Sequence, residues 1–272
     1  MRSTWVAAGL AALACLAAPV LQAEELEGWK KLTDQRFEAI DAGEAIEVIN
    51  PFGNIYARFG GYKSKVELIA TIQHFTEQGA PLTLSTRRAD GKLSVTIEAP
   101  DDAVPHEFRA KRKDRVDIVV FVPLESPIHA KTELGAIQAK GVRSDFTAES
   151  IAGDIRLRSI KGAVNASSER GNVTITLEDG YAKGDQRFTS TTGDIELYIW
   201  EDANYVADIA TSAEIATDFS MTIDHRRFEE PSKYGKATIG KDGTTVLVRS
   251  KRGRVKLAML PRDFKRSEEG GE

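Results

Sequence analysis

The sequence predicts an all-β fold, a repetitive parallel β-solenoid built from nine-residue strand-turn units. Five consecutive units, LGAIQAKGV, RSDFTAESI, AGDIRLRSI, KGAVNASSE and RGNVTITLE, fill residues 134–178 without a gap. Within each unit positions four and six are apolar, and positions three, five and seven are mostly polar. That is the period-two alternation of a strand with one buried face. Position two is Gly135, Ser144, Gly153, Gly162 or Gly171, a small residue where the chain must turn. So short a strand cannot bury its apolar face alone, and the units must stack on one another. The period leaves the number of units per coil open. Two would make a flattened coil of eighteen residues, three a triangular one, and a sandwich of meandering strands is the structural alternative.

In chain order, residues 1–23 read as a secretory signal peptide. Arg2 supplies the positive start, VAAGLAALACLAAPVL the apolar stretch, and Ala23 the small residue before Glu24 and Glu25. Cys15, the single cysteine, lies inside it, and Ala12-Leu13-Ala14 puts Leu in the wrong place for a lipid-anchoring signal. The remaining chain has no cysteine, so it has no disulfide or thiol chemistry. An exported protein, periplasmic or associated with the cell envelope, is expected. Residues 24–45 read as a lead-in or cap, 46–260 as the repeat domain and 261–272 as a charged, Gly-rich disordered tail.

Inside the repeat domain, Gly53, Asn54 and Ile55 show the Gly-polar-apolar order of the units. KVELIATI and KLSVTIEA alternate around Leu68 and Val95. VDIVVFVP, residues 116–123, is more continuously apolar and predicts a strand buried on both faces. Residues 179–187 (DGYAKGDQR) predict a loop inserted between coils, after which TGDIELYI repeats the pattern with Ile195, Leu197 and Ile199 inward. TTVLVRSKRGRVKLAML is expected to close the array, with Val246, Val248, Val255 and Leu257 inward. Beyond the leader no segment is long and apolar enough to cross a bilayer.

The chain has 272 residues with 37 Lys and Arg against 41 Asp and Glu; without Arg2 of the leader the balance is 36 against 41, a net charge of −5. An acidic chain is not expected to bind nucleic acid.

Several of these stretches carry a family resemblance. They are the opening I-E-V-x-N-x-x-G-x-I at residues 46–55, the Gly-Asp-Ile units at Gly153 and Gly193, and the closing stretch from Ile239 through VLVRSKRGRVKL to Leu257. Across most of the chain the sequence resembles the bacterial "putative adhesin" family of β-strand-repeat proteins, a domain of unknown function. It departs from that pattern at Lys251-Arg252-Gly253-Arg254, which is basic where the family has Asp or Asn, and at Ser212-Ala213-Glu214, which lacks the glycine. The resemblance implies an exported β-solenoid.

Little in the sequence names a reaction. A calcium β-roll needs more glycine and more regularly placed acids than Asp145 and Asp154 provide. The bland role for Asp145, Asp154, Asn172 and Asp194 is bonding turn backbone. A polysaccharide-active enzyme would need two convergent carboxyl groups. Asp154 and Asp194 are the first candidates, and turn bonding already accounts for both. His74, His106, His129 and His225 share no metal-ligand spacing and are expected to be solvated or locally bonded. No catalytic, cofactor or metal residue is assigned, and no cofactor is expected.

A ligand face is more specific. In a two-unit coil, Gln138, Lys140, Arg156, Arg158, Thr174 and Thr176 share one outer face, and Thr147, Glu149, Asn165 and Ser167 share the other. The first is mildly basic on an acidic protein and suits an extended acidic partner, an envelope glycan or protein. Tyr198 and Trp200 alternate with the inward residues and are expected to face out, unless the chain at 201–205 covers them. The basic run at 109–115 (RAKRKDR) reads as a solvated loop that discourages edge pairing. The leading function is a non-catalytic binding, adhesin-like or structural module of the envelope. The alternatives are a polysaccharide-active enzyme and an accessory or sensory protein working with a membrane partner.

Overall fold

The protein is described from a computed structural model, over residues 28–100, 113–177, 184–241 and 243–261. The expected leader at 1–23, residues 262–272 of the expected tail, His106, residues 109–112 of the basic run, residue 178 of the last repeat unit and residues 179–183 of the expected insertion lie outside them.

The all-β expectation holds. Apart from one 3-10 turn at Thr76–Gln78, the described elements are strands in two large mixed sheets. The ten-stranded sheet contains β1 (Trp29–Ala39), β3 (Ile55–Phe59), β4 (Lys65–Phe75), β7 (Arg115–Val122), β9 (Ile137–Lys140), β11 (Ile155–Arg158), β13 (Val173–Leu177), β15 (Ile195–Trp200), β17 (Ile215–Thr217) and β21 (Val255–Leu260). The eleven-stranded sheet contains β2 (Ala45–Asn50), β5 (Thr83–Ala89), β6 (Lys92–Glu98), β8 (Ile128–Thr132), β10 (Phe146–Ser150), β12 (Val164–Ser168), β14 (Gln186–Ser190), β16 (Tyr205–Thr211), β18 (Thr222–His225), β19 (Lys233–Ile239) and β20 (Thr244–Ser250). One apolar core fills the space between them. No helix of the described residues is long and apolar enough to cross a membrane.

In the middle of the molecule the chain alternates between the sheets. Ile137, Ile155 and Val173 are directly paired in one, and Ile128, Phe146 and Val164 in the other, each step being eighteen residues. Two nine-residue units therefore complete one coil. Pairing is parallel there, and β-branched and aromatic side chains stack in columns down the core.

Parallel order does not run to the ends, where the expected wholly parallel array is corrected. β1, β4 and β7 pair antiparallel at one end, as do β5 and β6, and at the other end β16, β19 and β18 do the same. Antiparallel hairpins finish a stack that would otherwise present open coil faces. The outermost coils are also not the first and last in sequence. β2 lies between β6 and β8, and β3 between β7 and β9. Likewise β20 lies between β14 and β16, and β21 between β15 and β17. The segment expected to close the array is thus one coil inward, although Val246, Val248, Val255 and Leu257 do point into the core. β7 alternates buried and half-buried residues, so it is covered on one face only, not both. The insertion ends earlier than expected, because Gln186 and Arg187 already belong to β14.

Two ladders hold the turns that lead into the ten-stranded sheet. Thr132, Ser150, Ser168, Ser190 and Ser250 each sit three residues before Gly135, Gly153, Gly171, Gly193 and Gly253. Each hydroxyl accepts from the amide of its own glycine, at 2.8–3.1 Å, and donates to the carbonyl of the glycine one coil earlier. Outside this ladder, Asp and Asn side chains accept the next coil's amides. Asn172 N–H donates to Asp154 Oδ1 at 3.0 Å, Asp194 N–H to Asn172 Oδ1 at 2.9 Å and Arg254 N–H to Asp194 Oδ1 at 2.7 Å.

The inner ladder makes a modest prediction. Ser168→Ala leaves the amide of Gly171 and the carbonyl of Gly153 without their partner in a buried turn, and should cost about 1–2 kcal/mol. Ser168→Thr should retain most of that stability, since Thr132 fills the same role two coils away. Denaturant unfolding of both variants checks this; equal loss in both would mean the hydroxyl is not what holds the turn.

Candidate functional site

The outer face of the ten-stranded sheet is built from the polar positions of β3, β9, β11, β13, β15 and β21. Their inward residues, such as Ile55, Ile137, Ile155, Val173, Ile195 and Val255, are fully buried, which forces the alternate residues outward. Two rows result. One runs Arg58, Lys140, Arg158, Thr176 and Tyr198 across successive strands; the other runs Tyr56, Gln138, Arg156, Thr174, Glu196 and Lys256. The six residues expected to share a face do share it, and they line a shallow recess of about 220 Å³.

The recess also contains Arg58, which the sequence reading passed over. A signal was available, since Ile55-Tyr56-Ala57-Arg58 parallels Ile137-Gln138-Ala139-Lys140 and Ile155-Arg156-Leu157-Arg158. The Arg58 Nη1 donates to the carbonyls of Ala57 at 2.9 Å and Gln138 at 3.2 Å, so the guanidinium is fixed to the sheet. Arg156 pairs with Asp154 at 2.7 Å. The Lys140 ammonium makes no hydrogen bond or ion pair among the described residues.

Of the two aromatics expected to face out, Tyr198 does. It is half-buried, and its hydroxyl donates to Glu196 Oε2 at 2.8 Å. That bond to a carboxylate, with partial burial, raises the phenol above its usual range and keeps it neutral. Trp200 does not face out: it is 4 % exposed and belongs to the core. Alternation fails because β15 ends there. The chain turns at once, Ala203 N–H donating to the Trp200 carbonyl at 3.0 Å, and the neighbouring Leu260 is itself packed on the core.

The opposite sheet presents Thr147, Glu149, Asn165 and Ser167 as expected, but its charges interleave. His129 lies 3.7 Å from Glu47 and 3.2 Å from Glu149, Lys131 lies 3.7 Å from Glu149, and Lys92 lies 2.9 Å from Glu47. The Lys92 hydrogen bond is the chief reason that the Glu47 carboxyl titrates below its usual range. His74 is buried against Asp114 at 3.2 Å, and His225 is exposed. In the basic run, Lys113 lies over the Phe75 ring at 4.1 Å and Arg115 pairs with Asp117 at 3.0 Å. A larger recess of about 840 Å³ lies over β16, β18 and β19; of the charges that line it, Asp208 pairs with Arg249, and Arg226 pairs with Asp224 and Glu229, while Lys236 is the fourth. Among the described residues no group of three or more His, Cys, Asp or Glu is placed to hold a metal ion.

Comparison with known proteins adds a family. The model of the family described as Toastrack DUF4097 matches residues 83–258, from the start of β5 into β21. No curated protein matches the chain. Among solved structures, a "putative cell adhesion protein" from Clostridium sporogenes aligns at 12 % identity over 85 % of this chain and 100 % of that one, with a TM-score of 0.47. A "putative adhesin" from Bacteroides fragilis aligns at 13 % identity over 84 % and 97 %, with a TM-score of 0.38. A "putative lipid binding protein" from Parabacteroides distasonis aligns at 12 % identity over 82 % and 96 %, with a TM-score of 0.26.

Proposed function

The chain belongs to the Toastrack DUF4097 family, and on that footing we propose that it is an exported, non-catalytic binding module of the cell envelope whose central coils serve as a rigid β-solenoid platform. One observation carries the reading. Arg58, Lys140, Arg156 and Arg158 gather on one face of a chain whose net charge is −4, while the other face interleaves Lys92, His129 and Lys131 with Glu47 and Glu149. A cationic patch set against an acidic background selects and steers an acidic partner. The leader-like residues 1–23 support export to the periplasm or envelope. The non-catalytic reading is supported by Asp154 and Asp194, the two carboxylates first suspected of chemistry, each holding the backbone of the next coil.

The test is retention of cell-envelope material on the immobilised protein. Wild type should retain an acidic component in a salt-sensitive manner, and the double variant Arg156→Ser, Arg158→Ser should bind it about tenfold more weakly, roughly 0.7 kcal/mol per charge. Both should melt at similar temperatures. Equal retention by wild type and variant would leave this face as a solvated surface.

A further inference from the structure

The outer face of the ten-stranded sheet changes character at its first strands. β7 reads as an almost unbroken apolar run because its outward residues Val119 and Phe121 are apolar as well as its inward ones. A sheet face open to water carries polar residues at such positions, as β9, β11 and β13 do with Gln138, Lys140, Arg156, Thr174 and Thr176. Val119 is directly opposite Ile69 of β4 on one side and Tyr56 of β3 on the other. Phe121 is opposite Glu67, and Glu67 is opposite Phe37 of β1, which is 54 % exposed. Phe37, Ile69, Val119, Phe121 and Tyr56 thus form one strip across β1, β4, β7 and β3, and none of them is fully buried. Cations stand at both flanks of the strip. The Lys65 ammonium lies 4.6 Å from the centre of the Phe37 ring and 4.4 Å from that of Tyr62. On the other side Arg58 is opposite Phe121, and Lys140 is opposite Arg58. Glu67, a carboxylate within the strip, accepts from Gln35 Nε2 at 2.7 Å and from the Tyr62 hydroxyl at 2.8 Å.

We propose that this face docks on a bilayer containing anionic lipid, with the apolar strip at the headgroup boundary and Lys65, Arg58, Lys140 and Arg156 among the lipid phosphates. The inference rests on the reading of this face as a binding surface and names its acidic partner. Apolar and aromatic residues flanked by Lys and Arg are what a bilayer interface selects. Long basic side chains reach the headgroups, and rings with a polar tip, here Tyr56 and Tyr62, lie beside the apolar residues. Each basic residue close to an anionic membrane adds to the attraction. The cations are split by the strip, with Lys65 on one side and the others on the far side. Lipids diffuse laterally and come to each cation where it stands, with no repeat to match. A folded acidic protein would need a surface shaped to that split pattern. The recess of about 220 Å³ beside Arg58 is also too small to seat a helix ~10–12 Å across.

Co-sedimentation with lipid vesicles tests this, on the chain from residue 24 onward, because the apolar stretch of the expected leader would itself bind lipid. At low salt the protein should bind vesicles of phosphatidylglycerol and phosphatidylcholine mixed equally. It should not bind pure phosphatidylcholine, and it should be released from the mixed vesicles as salt rises. Lys140→Gln should weaken binding about fivefold, and Phe37→Ser about tenfold. Both residues are exposed, so both variants should melt near wild type. Phe37→Trp keeps a ring and should bind as wild type does, its fluorescence shifting to the blue on the mixed vesicles beyond any change in wild type. Glu149→Gln, on the other sheet, should change nothing. No binding to the mixed vesicles, equal binding to both kinds, full binding by a folded Phe37→Ser protein, or a Phe37→Trp emission that does not move would each overturn the assignment. The binding surface is tested separately. If the vesicles fail while retention of envelope material is still lost in the Arg156→Ser, Arg158→Ser variant, the partner is an acidic protein or glycan. If that variant retains the material equally, the face is no binding surface.

Discussion

Gly153→Ala should destabilise the protein by more than ~4 kcal/mol, lowering the melting temperature by on the order of 10 °C or preventing folding. A methyl group at Gly153 would be driven into the carbonyl of Gly135 in the coil before it, and the same is true of Gly135 against Gly53, Gly171 against Gly153, Gly193 against Gly171 and Gly253 against Gly193. The obstacle is backbone, which cannot rotate away as a side chain can. Adjacent coils would have to part at that corner, stretching the parallel hydrogen bonds of β9, β11 and β13 and the Ser150 bridge. None of these glycines has a positive φ, so their requirement is close approach and not unusual backbone dihedrals. Ala213→Gly is the matching control and should change stability by less than ~1 kcal/mol. Ala213 stands where Gly253 does one coil earlier, but in a turn one residue shorter, since Arg249 pairs with Ala210 and Val255 with Ile215. A Gly153→Ala protein melting at the wild-type temperature would show that the coils do not stack as closely as the glycine column requires.

That column also explains how the nine-residue period could be read correctly and still mislead. The apolar positions four and six repeat every nine residues because both sheets need an inward face, and this much was legible. The corners repeat every eighteen. One corner demands glycine from Gly53 through Gly253 and admits Ala213 only in the shorter turn before β17, whereas the other accommodates Ser144, whose hydroxyl bonds the Ser126 carbonyl. Pooling both corners into one position two hid the distinction, and with it the S/T-x-x-G spacing of the hydroxyl ladder. The ligand face was legible for the same reason as the core: once Ile137, Ile155 and Val173 are inward, Gln138, Arg156 and Thr174 have no other side to occupy.

Other features depended on contacts that no local pattern encodes. Arg58 reaches the recess because β3 slots beside β9, some eighty residues later in the chain, a placement set by long-range pairing. The same kind of insertion carries β21 between β15 and β17. Trp200 obeys alternation in sequence and escapes it in space, because the last residue of a strand is oriented as much by the turn that follows as by the pleat. The family match starts at residue 83 and so takes in neither β2 nor β3, the coil that completes the basic column.

The second large effect separates stability from binding at adjacent residues. Ile155→Asp should cost more than ~3 kcal/mol, because it puts a carboxylate with no partner into the core. Ile155 has no exposed surface and stacks between Ile137 and Val173 in an unbroken column of branched aliphatic side chains. Arg156→Asp should cost less than ~1 kcal/mol, since the residue is exposed and its pair with Asp154 is a surface ion pair. Its effect should fall on the ligand instead, by reversing a charge in the cationic recess. Thermal melts and binding to envelope material, measured on both variants, should therefore give opposite orderings. The Ile155 variant should lose its melting transition or shift it far down, while the Arg156 variant should melt near wild type and fail to bind. Similar melting temperatures for the two would mean that the inward and outward sets are misassigned. Undiminished binding by a well-folded Arg156→Asp protein would move the ligand off this face.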